Sequence, residues 1–229
     1  MTQPGLSRWR LDRRLWLFSL LGVCVLTAVF VLAWFTPTLS VRTVRIEGLG
    51  AVSEQAVREQ LQIPAGRSML RMDTTAMARR VAGIPKVHTA RVQRMYPSTI
   101  KVTVTERVPV LYFDGPDGAH LVDGEGIEFA VEPTPIGVPK LVTERPGGGD
   151  PVTAAAVGVL RVLPPALAVQ VGEVVARSIS DISLNLTDGR TVVWGGANDA
   201  ERKAQVVLPL LTREGTVFDV SSPNLVTVK

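Results

Sequence analysis

Leu15 to Phe35 (LWLFSLLGVCVLTAVFVLAWF) is a run of 21 residues without a charge. A helix of that length, rising about 1.5 Å per residue, reaches about 31 Å, the thickness of a hydrocarbon core. Residues 1–14 hold Arg8, Arg10, Arg13 and Arg14 against Asp12, whereas the first basic residue beyond the run is Arg42. That asymmetry predicts a single-pass helix over 15–35, with a cytoplasmic basic tail over 1–14 and the bulk of the chain outside. A cleaved signal peptide fits less well, because its apolar stretch is about 7 to 15 residues and ends in small side chains. Here the run is longer and ends Trp34-Phe35-Thr36-Pro37, and the two aromatics read as interfacial anchors on the outer side.

Composition narrows the possibilities for the rest of the chain. The 229 residues leave room for one or two small domains beyond the anchor. The formal charge is +4, and the tail's four arginines against one aspartate supply three of those charges, so no basic face remains for nucleic acid. Cys24 is the only cysteine, which excludes an intrachain disulfide framework and a Cys-based zinc site; within the span it reads as a small apolar filler.

Residues 41–110 alternate turn signals with short periodic segments. Val41-Arg-Thr-Val-Arg-Ile-Glu47 reads as a strand ended by Gly48-Leu-Gly50. Ser53 then caps a helix, with Val52 and Val57 as a hydrophobic staple, and Ile63-Pro64 stops it. The same grammar returns at Asp73: Met72 and Met77 form the staple, Met77, Val81 and Ile84 share a face, and Gly83 and Pro85 terminate the helix. Val87 to Met95 reads as a strand, Tyr96 to Thr99 as a turn, and Ile100, Val102 and Val104 alternate against polar residues in the next strand. The order β-α-α-β-β predicts an α+β layer with two helices on one face of a small sheet.

The segment Tyr96-Pro97-x-Thr99-Ile100-x-Val102-x-Val104-x-Glu106-Arg107-x-Pro109-Val110 resembles the signature that closes the POTRA domain of the FtsQ/DivIB family of bacterial cell-division proteins. Val44-x-Ile46-x-Gly48 is similar to that family's opening strand and turn. Leu121-Val122-Asp123-x-x-Gly126-x-x-Phe129, Val138-Pro139-x-Leu141 and Phe218-Asp219-Val220 also fall where the family places such residues. With the tail and the anchor, the resemblance covers essentially the whole chain and implies a POTRA domain over 36–110 and a β domain over 111–229.

Within 111–229, Asp114-Gly-Pro-Asp-Gly118 and Asp123-Gly-Glu-Gly126 are turn chemistry and predict hairpins. Residues 132–151 are rich in Pro and Gly, and Arg145-Pro-Gly-Gly-Gly149 reads as a surface loop, after which Asp150 and Pro151 open a helix that ends near Pro164-Pro165. Ile182 to Leu186, Asp188-Gly189 and Thr191 to Trp194 predict a hairpin with a type I′ turn. A helix is expected from Ala200 through Leu211, shortened or kinked by Pro209, then final strands at Thr216–Val220 and Asn224–Val228.

Catalytic patterns are weak. Ser98-x-x-Lys101 matches the serine and lysine of penicillin-interacting enzymes, but those must lie one helical turn apart, whereas a turn leading into a strand points them in different directions. His88 and His120 have no metal-ligand spacing, and Asp114, Asp117, Asp123 and Glu125 lack the pattern of a calcium loop. No Gly-rich phosphate loop and no interleaving of aromatic and basic residues is present, so neither a cofactor nor nucleic acid is expected.

The resemblance therefore implies a non-enzymatic scaffold of the division machinery in the cytoplasmic membrane at the septum. Its implied partners are FtsB and FtsL, linking to the septal glycosyltransferase and transpeptidase pair. A membrane-anchored cell-wall enzyme is the alternative. A POTRA module feeding an outer-membrane barrel fits less well, since the residues after POTRA are too few and too helical. The expected partner site is the C-terminal strand edge: Phe218, Val220, Ser222, Asn224, Leu225, Val226, Thr227 and Val228, with Arg177 as a charge contact. Phe218 serves equally well as a core residue, and Ser222 stands where some relatives carry an aromatic. Glu106, Arg107 and Pro109 either dock a partner or fix the junction of the two domains. A cysteine introduced by Ser53→Cys is expected to react with an impermeant thiol reagent in intact cells; labelling only after lysis contradicts this topology.

Overall fold

The computed structural model describes residues 16, 18–28, 40–64, 66 and 68–229. The tail over 1–14 lies outside these, as does much of the expected span: Trp16 and residues 18–28 are helical and exposed. Among the described residues no helix is long and apolar enough to cross a membrane. The remainder forms two units, the first ending at Glu106 and the second beginning at Arg107, so Pro109 and Val110 open the second.

In the first unit β1 (Thr43–Glu47) ends at Gly48, whose φ is +86° and where a Cβ would stand 2.0 Å from the Val104 carbonyl oxygen, so only glycine fits. Helix α1 (Glu54–Leu61) is capped by Ser53 Oγ, which accepts from Ala56 N–H, and α2 (Thr74–Ala82) by Asp73, which accepts from Thr75 and Ala76. A short 3₁₀ turn at Met69–Arg71, absent from the sequence reading, joins the helices. Strands β2 (Val87–Met95) and β3 (Thr99–Glu106) pair antiparallel, and β1 pairs parallel with β3, giving the order β1-β3-β2. Val57, Leu61, Met77 and Val81 from the helices meet Ile100, Val102 and Val104 in one core, which is the predicted β-α-α-β-β layer.

The second unit is a nine-stranded sheet, in the order β12-β11-β10-β9-β8-β7-β4-β5-β6. Its strands are β4 (Pro109–Gly115), β5 (Gly118–Asp123), β6 (Glu128–Glu132), β7 (Lys140–Val142), β8 (Val171–Ser178), β9 (Asp181–Leu186), β10 (Thr191–Val193), β11 (Val217–Asp219) and β12 (Thr227–Val228). Helices α3 (Pro151–Val162) and α5 (Ala200–Leu210), with the single turn α4 (Pro165–Ala168), send Val157, Val159, Leu167, Val207 and Leu210 into a core with Leu184, Trp194 and Phe218.

Several sequence expectations change here. The Pro/Gly-rich stretch 132–151 contains β7, a three-residue strand that runs parallel to both β4 and β8 and joins the two halves of the sheet. It is too short to show a period. The β9–β10 connection is not type I′: only Gly189 has positive φ (+89°), and the Leu186 carbonyl accepts from Gly189 N–H. A turn closed by a left-handed glycine replaces the two-residue form. The last two strands are shorter than expected, because Ser222 to Leu225 form a turn, with Leu225 N–H donating to Ser222 O at 2.9 Å.

Glu106 closes the first unit. Its carboxylate accepts from Gly50 N–H (2.7 Å), Ala51 N–H (2.8 Å) and Val52 N–H (2.9 Å), anchoring the β1–α1 turn to the end of β3. The Gly50 bond lowers its pKa most; partial burial opposes this, and Ala51, Val52 and Lys86 add to the lowering. A lowered carboxyl stabilises the fold above its ordinary range, and that contribution is lost as pH falls through the lowered value. Glu106→Gln is expected to cost about 1–2 kcal/mol at neutral pH. Thermal unfolding as a function of pH is expected to show the difference from the native chain shrinking in acid.

Candidate functional site

The sheet ends at β12, and among the described residues no strand pairs with its outer side. Lys229 exchanges two backbone hydrogen bonds with Val217, donating at 2.9 Å and accepting at 3.0 Å, while Val228 stands opposite Phe218. In an antiparallel ladder these pairs alternate, so the N–H and C=O of Val228 face away from β11. They are the groups an added strand would meet.

The predicted edge residues separate by burial. Leu225 is 76 % exposed, and Ser222, Asn224 and Thr227 are exposed too; Val226 and Val228 are half-buried against the core. Phe218 and Val220 are fully buried, so as contact side chains they are corrected to core residues: both lie in the apolar cluster of the second unit rather than facing outward. Arg177, on β8, is exposed and lies 3.6 Å from Asp181; three strands stand between β8 and β12, so it is not brought to the edge by strand order.

A neighbouring surface escaped the sequence reading. A Cβ at Gly195 would stand 3.0 Å from Ser221 Cβ, and one at Gly196 would stand 3.3 Å from Ser180 Cα. Gly195-Gly196 is therefore packed between the β8–β9 turn, which carries exposed Ile179, and Ser221, which leads to β12. Behind it lies Lys203, 2 % exposed, whose Nζ donates to Gly196 O at 2.9 Å and stands 5.9 Å from the Trp194 ring. Burial lowers its pKa, and Asp199 and Asp219 oppose that. Trp194 Nε1 is buried with no hydrogen-bond partner among the described residues. The Gly195-Gly196 pair was the one available sequence signal.

At the start of the second unit, the Arg107 guanidinium bonds Asp123 and lies 3.6 Å from Glu125. Asp123 also accepts from Glu125 N–H (2.8 Å) and Ile127 N–H (2.9 Å), organising the β5–β6 turn. Burial alone would raise the Asp123 carboxyl; the N–H groups of Ile127 and Glu125 and the Arg107 guanidinium outweigh it and hold the pKa below the ordinary value. Pro109 opens β4 opposite Asp123. Glu106, Arg107 and Pro109 are thus all engaged within their own units.

Several further polar groups bond within the chain. Lys101 Nζ is bound to Glu47 at 2.8 Å, and Ser98 sits in the β2–β3 turn. Asp114 pairs with Lys140 at 2.7 Å. His120 lies between Glu128 and Asp117, each at 2.7 Å, and their hydrogen bonds raise its pKa, Glu128 first.

The chain is a layered α+β unit followed by an α+β unit built on one long sheet, whose β12 edge has no paired strand among the described residues. Residues 39–107 match the family model "POTRA domain, FtsQ-type", and residues 111–222 match "Cell division protein FtsQ/DivIB, C-terminal". The chain is 47 % identical over 202 residues to Cell division protein FtsQ of Mycolicibacterium smegmatis, covering 88 % of this chain and 61 % of that protein. It is 49 % identical over 196 residues to that of Mycobacteroides abscessus, covering 86 % and 63 %. Against that of Corynebacterium glutamicum it is 32 % identical over 210 residues, 90 % of this chain and 95 % of that one. The chain belongs to the FtsQ/DivIB family of cell-division proteins. It spans a little over 60 % of the length of the two mycobacterial relatives.

With side chains only 14 % and 4 % exposed in the Arg107–Asp123 pair, removal of one partner strands a buried charge. Arg107→Ala is expected to destabilise the second unit by about 3 kcal/mol, measured by urea denaturation, with Arg107→Lys recovering part of the loss.

Proposed function

We propose that this chain is a non-enzymatic, single-pass scaffold of the division machinery, held in the cytoplasmic membrane at the septum by residues 15–35. In this reading it binds FtsB and FtsL outside the membrane and through them helps to recruit or regulate septal peptidoglycan synthesis. The observation that carries it is the open β12 edge in a chain of this family: backbone groups at Val228 face outward, beside exposed Leu225 and Thr227. An extended segment of FtsB added there gains main-chain hydrogen bonds, and alternate side chains set specificity. The internal engagement of Ser98's neighbour Lys101 and of the acidic turn residues favours a scaffold over the cell-wall enzyme.

Val226→Pro removes a backbone donor just before β12, and Leu225→Ser removes an exposed apolar contact. Both variants are expected to keep the native circular dichroism spectrum, and each to weaken FtsB capture by about tenfold or more. Unchanged affinity in two folded variants would show that the edge is not the site.

A further inference from the structure

The Tyr96-Pro97 turn has no part in the β12 edge, yet its side chains are conspicuously placed. Tyr96 is 60 % exposed and Met95 44 % exposed, at the tip of the β2–β3 hairpin. In register, Met95 stands beside Thr99 and Thr99 beside Thr43, the first residue of β1. Arg42 N–H donates to Ser98 O at 2.8 Å and Thr43 N–H to the same oxygen at 3.2 Å. The chain thus reaches its first strand directly against this tip.

The same register defines the face of the small sheet that the helices leave open. Arg45, Lys101 and Gln93 form one row on it, and Glu47, Thr103 and Arg91 the next, continuous with Met95. The opposite face, with Val44, Ile46, Ile100, Val102 and Val104, is the one turned to the core. Three cations stand on the open face against one carboxylate, and that carboxylate, Glu47, is bound to Lys101. Among the described residues no carboxylate pairs with Arg45 or Arg91, and both are exposed. Exposed Arg42 adds a cation at the tip.

We propose that this basic face, with Met95 and Tyr96 at its leading end, docks on the anionic headgroup surface of the bilayer holding the chain's own apolar segment. The inference rests on the reading of residues 15–35 as a membrane anchor. Seven residues, 36–42, connect Phe35 to Thr43 at the start of β1, and the eight steps from Phe35 to Thr43 extend at most about 28 Å. That tether keeps the tip near the bilayer at high effective concentration, so weak contacts suffice. A tyrosine suits the interface because its ring is apolar and its hydroxyl wet. Arginine and lysine meet lipid phosphates with an attraction that salt screens.

The test uses the full chain in lipid nanodiscs, with Cys24→Ser and Ser98→Cys, and an environment-sensitive fluorophore on the new thiol. In discs containing phosphatidylglycerol the probe is expected to shift to the blue and be quenched by headgroup nitroxides. In pure phosphatidylcholine, or in high salt, it is expected to return toward the hydrated spectrum. Arg45→Gln with Arg91→Gln is expected to lower the docked-to-free ratio about 25-fold, roughly fivefold for each charge. Tyr96→Ser is expected to lower it independently of salt. Should the chain resist alkaline extraction while the probe stays hydrated in both lipids, the docking is wrong and the anchor stands. Release of the chain by alkali overturns the anchor and the docking together. Shielding of the probe by a copurified protein in detergent, with none from lipid, assigns the face to a protein and overturns the proposal.

Discussion

Backbone hydrogen bonding across an open sheet is the constraint on which the second unit depends. Each strand leaves one row of N–H and C=O groups for a neighbour, and burying such groups unpaired costs more than a paired bond gains. The sheet meets this demand strand by strand from β6 through β7 to β12. The short strand β7 is the critical link, since through Tyr112 on one side and Val174 on the other it joins the β4–β6 hairpins to β8–β12. An open sheet must stop somewhere. Among the described residues the last strand in the order is β12, of two residues.

Charge plays a supporting part throughout. Glu106 holds three backbone N–H groups of the β1–α1 turn, Asp123 holds two of the β5–β6 turn and Arg107, and Lys203 holds the Gly196 carbonyl. In each case a charged side chain satisfies backbone of a turn; the backbone bonds hold the Glu106 and Asp123 carboxyls low against burial, whereas burial lowers Lys203 against Asp199 and Asp219. Such groups resemble chemistry when read as letters. In three dimensions the same side chains act as fasteners for turns.

The first unit was legible because its signals are local. Ser53 and Asp73 cap the helices expected of them, and the alternation of Ile100, Val102 and Val104 marks β3. The hairpins over β4 to β6 and β9 to β10 were legible for the same reason, although the form of the turn at Gly189 was not. At the candidate site Leu225 and Thr227 are exposed, while Phe218 and Val220 are buried in the core. Apolar residues near a chain's last strand carry no mark that distinguishes a core face from a contact face when the strand is only two or three residues long.

Sequence alone determined the family, the order of elements in the first unit and the caps and turns, because each of these is written within about ten neighbouring residues. Tertiary structure decided that β7 bridges two half-sheets, that three strands separate β8 from β12, and that Lys203 supports the Gly195-Gly196 turn. The strand pairings join residues far apart in the chain, and the Lys203 contact, though only seven residues from Gly196, depends on burial beside Trp194. They are selected by which backbone groups remain unsatisfied and which apolar faces remain uncovered once the local elements have formed, and that selection has no period to read.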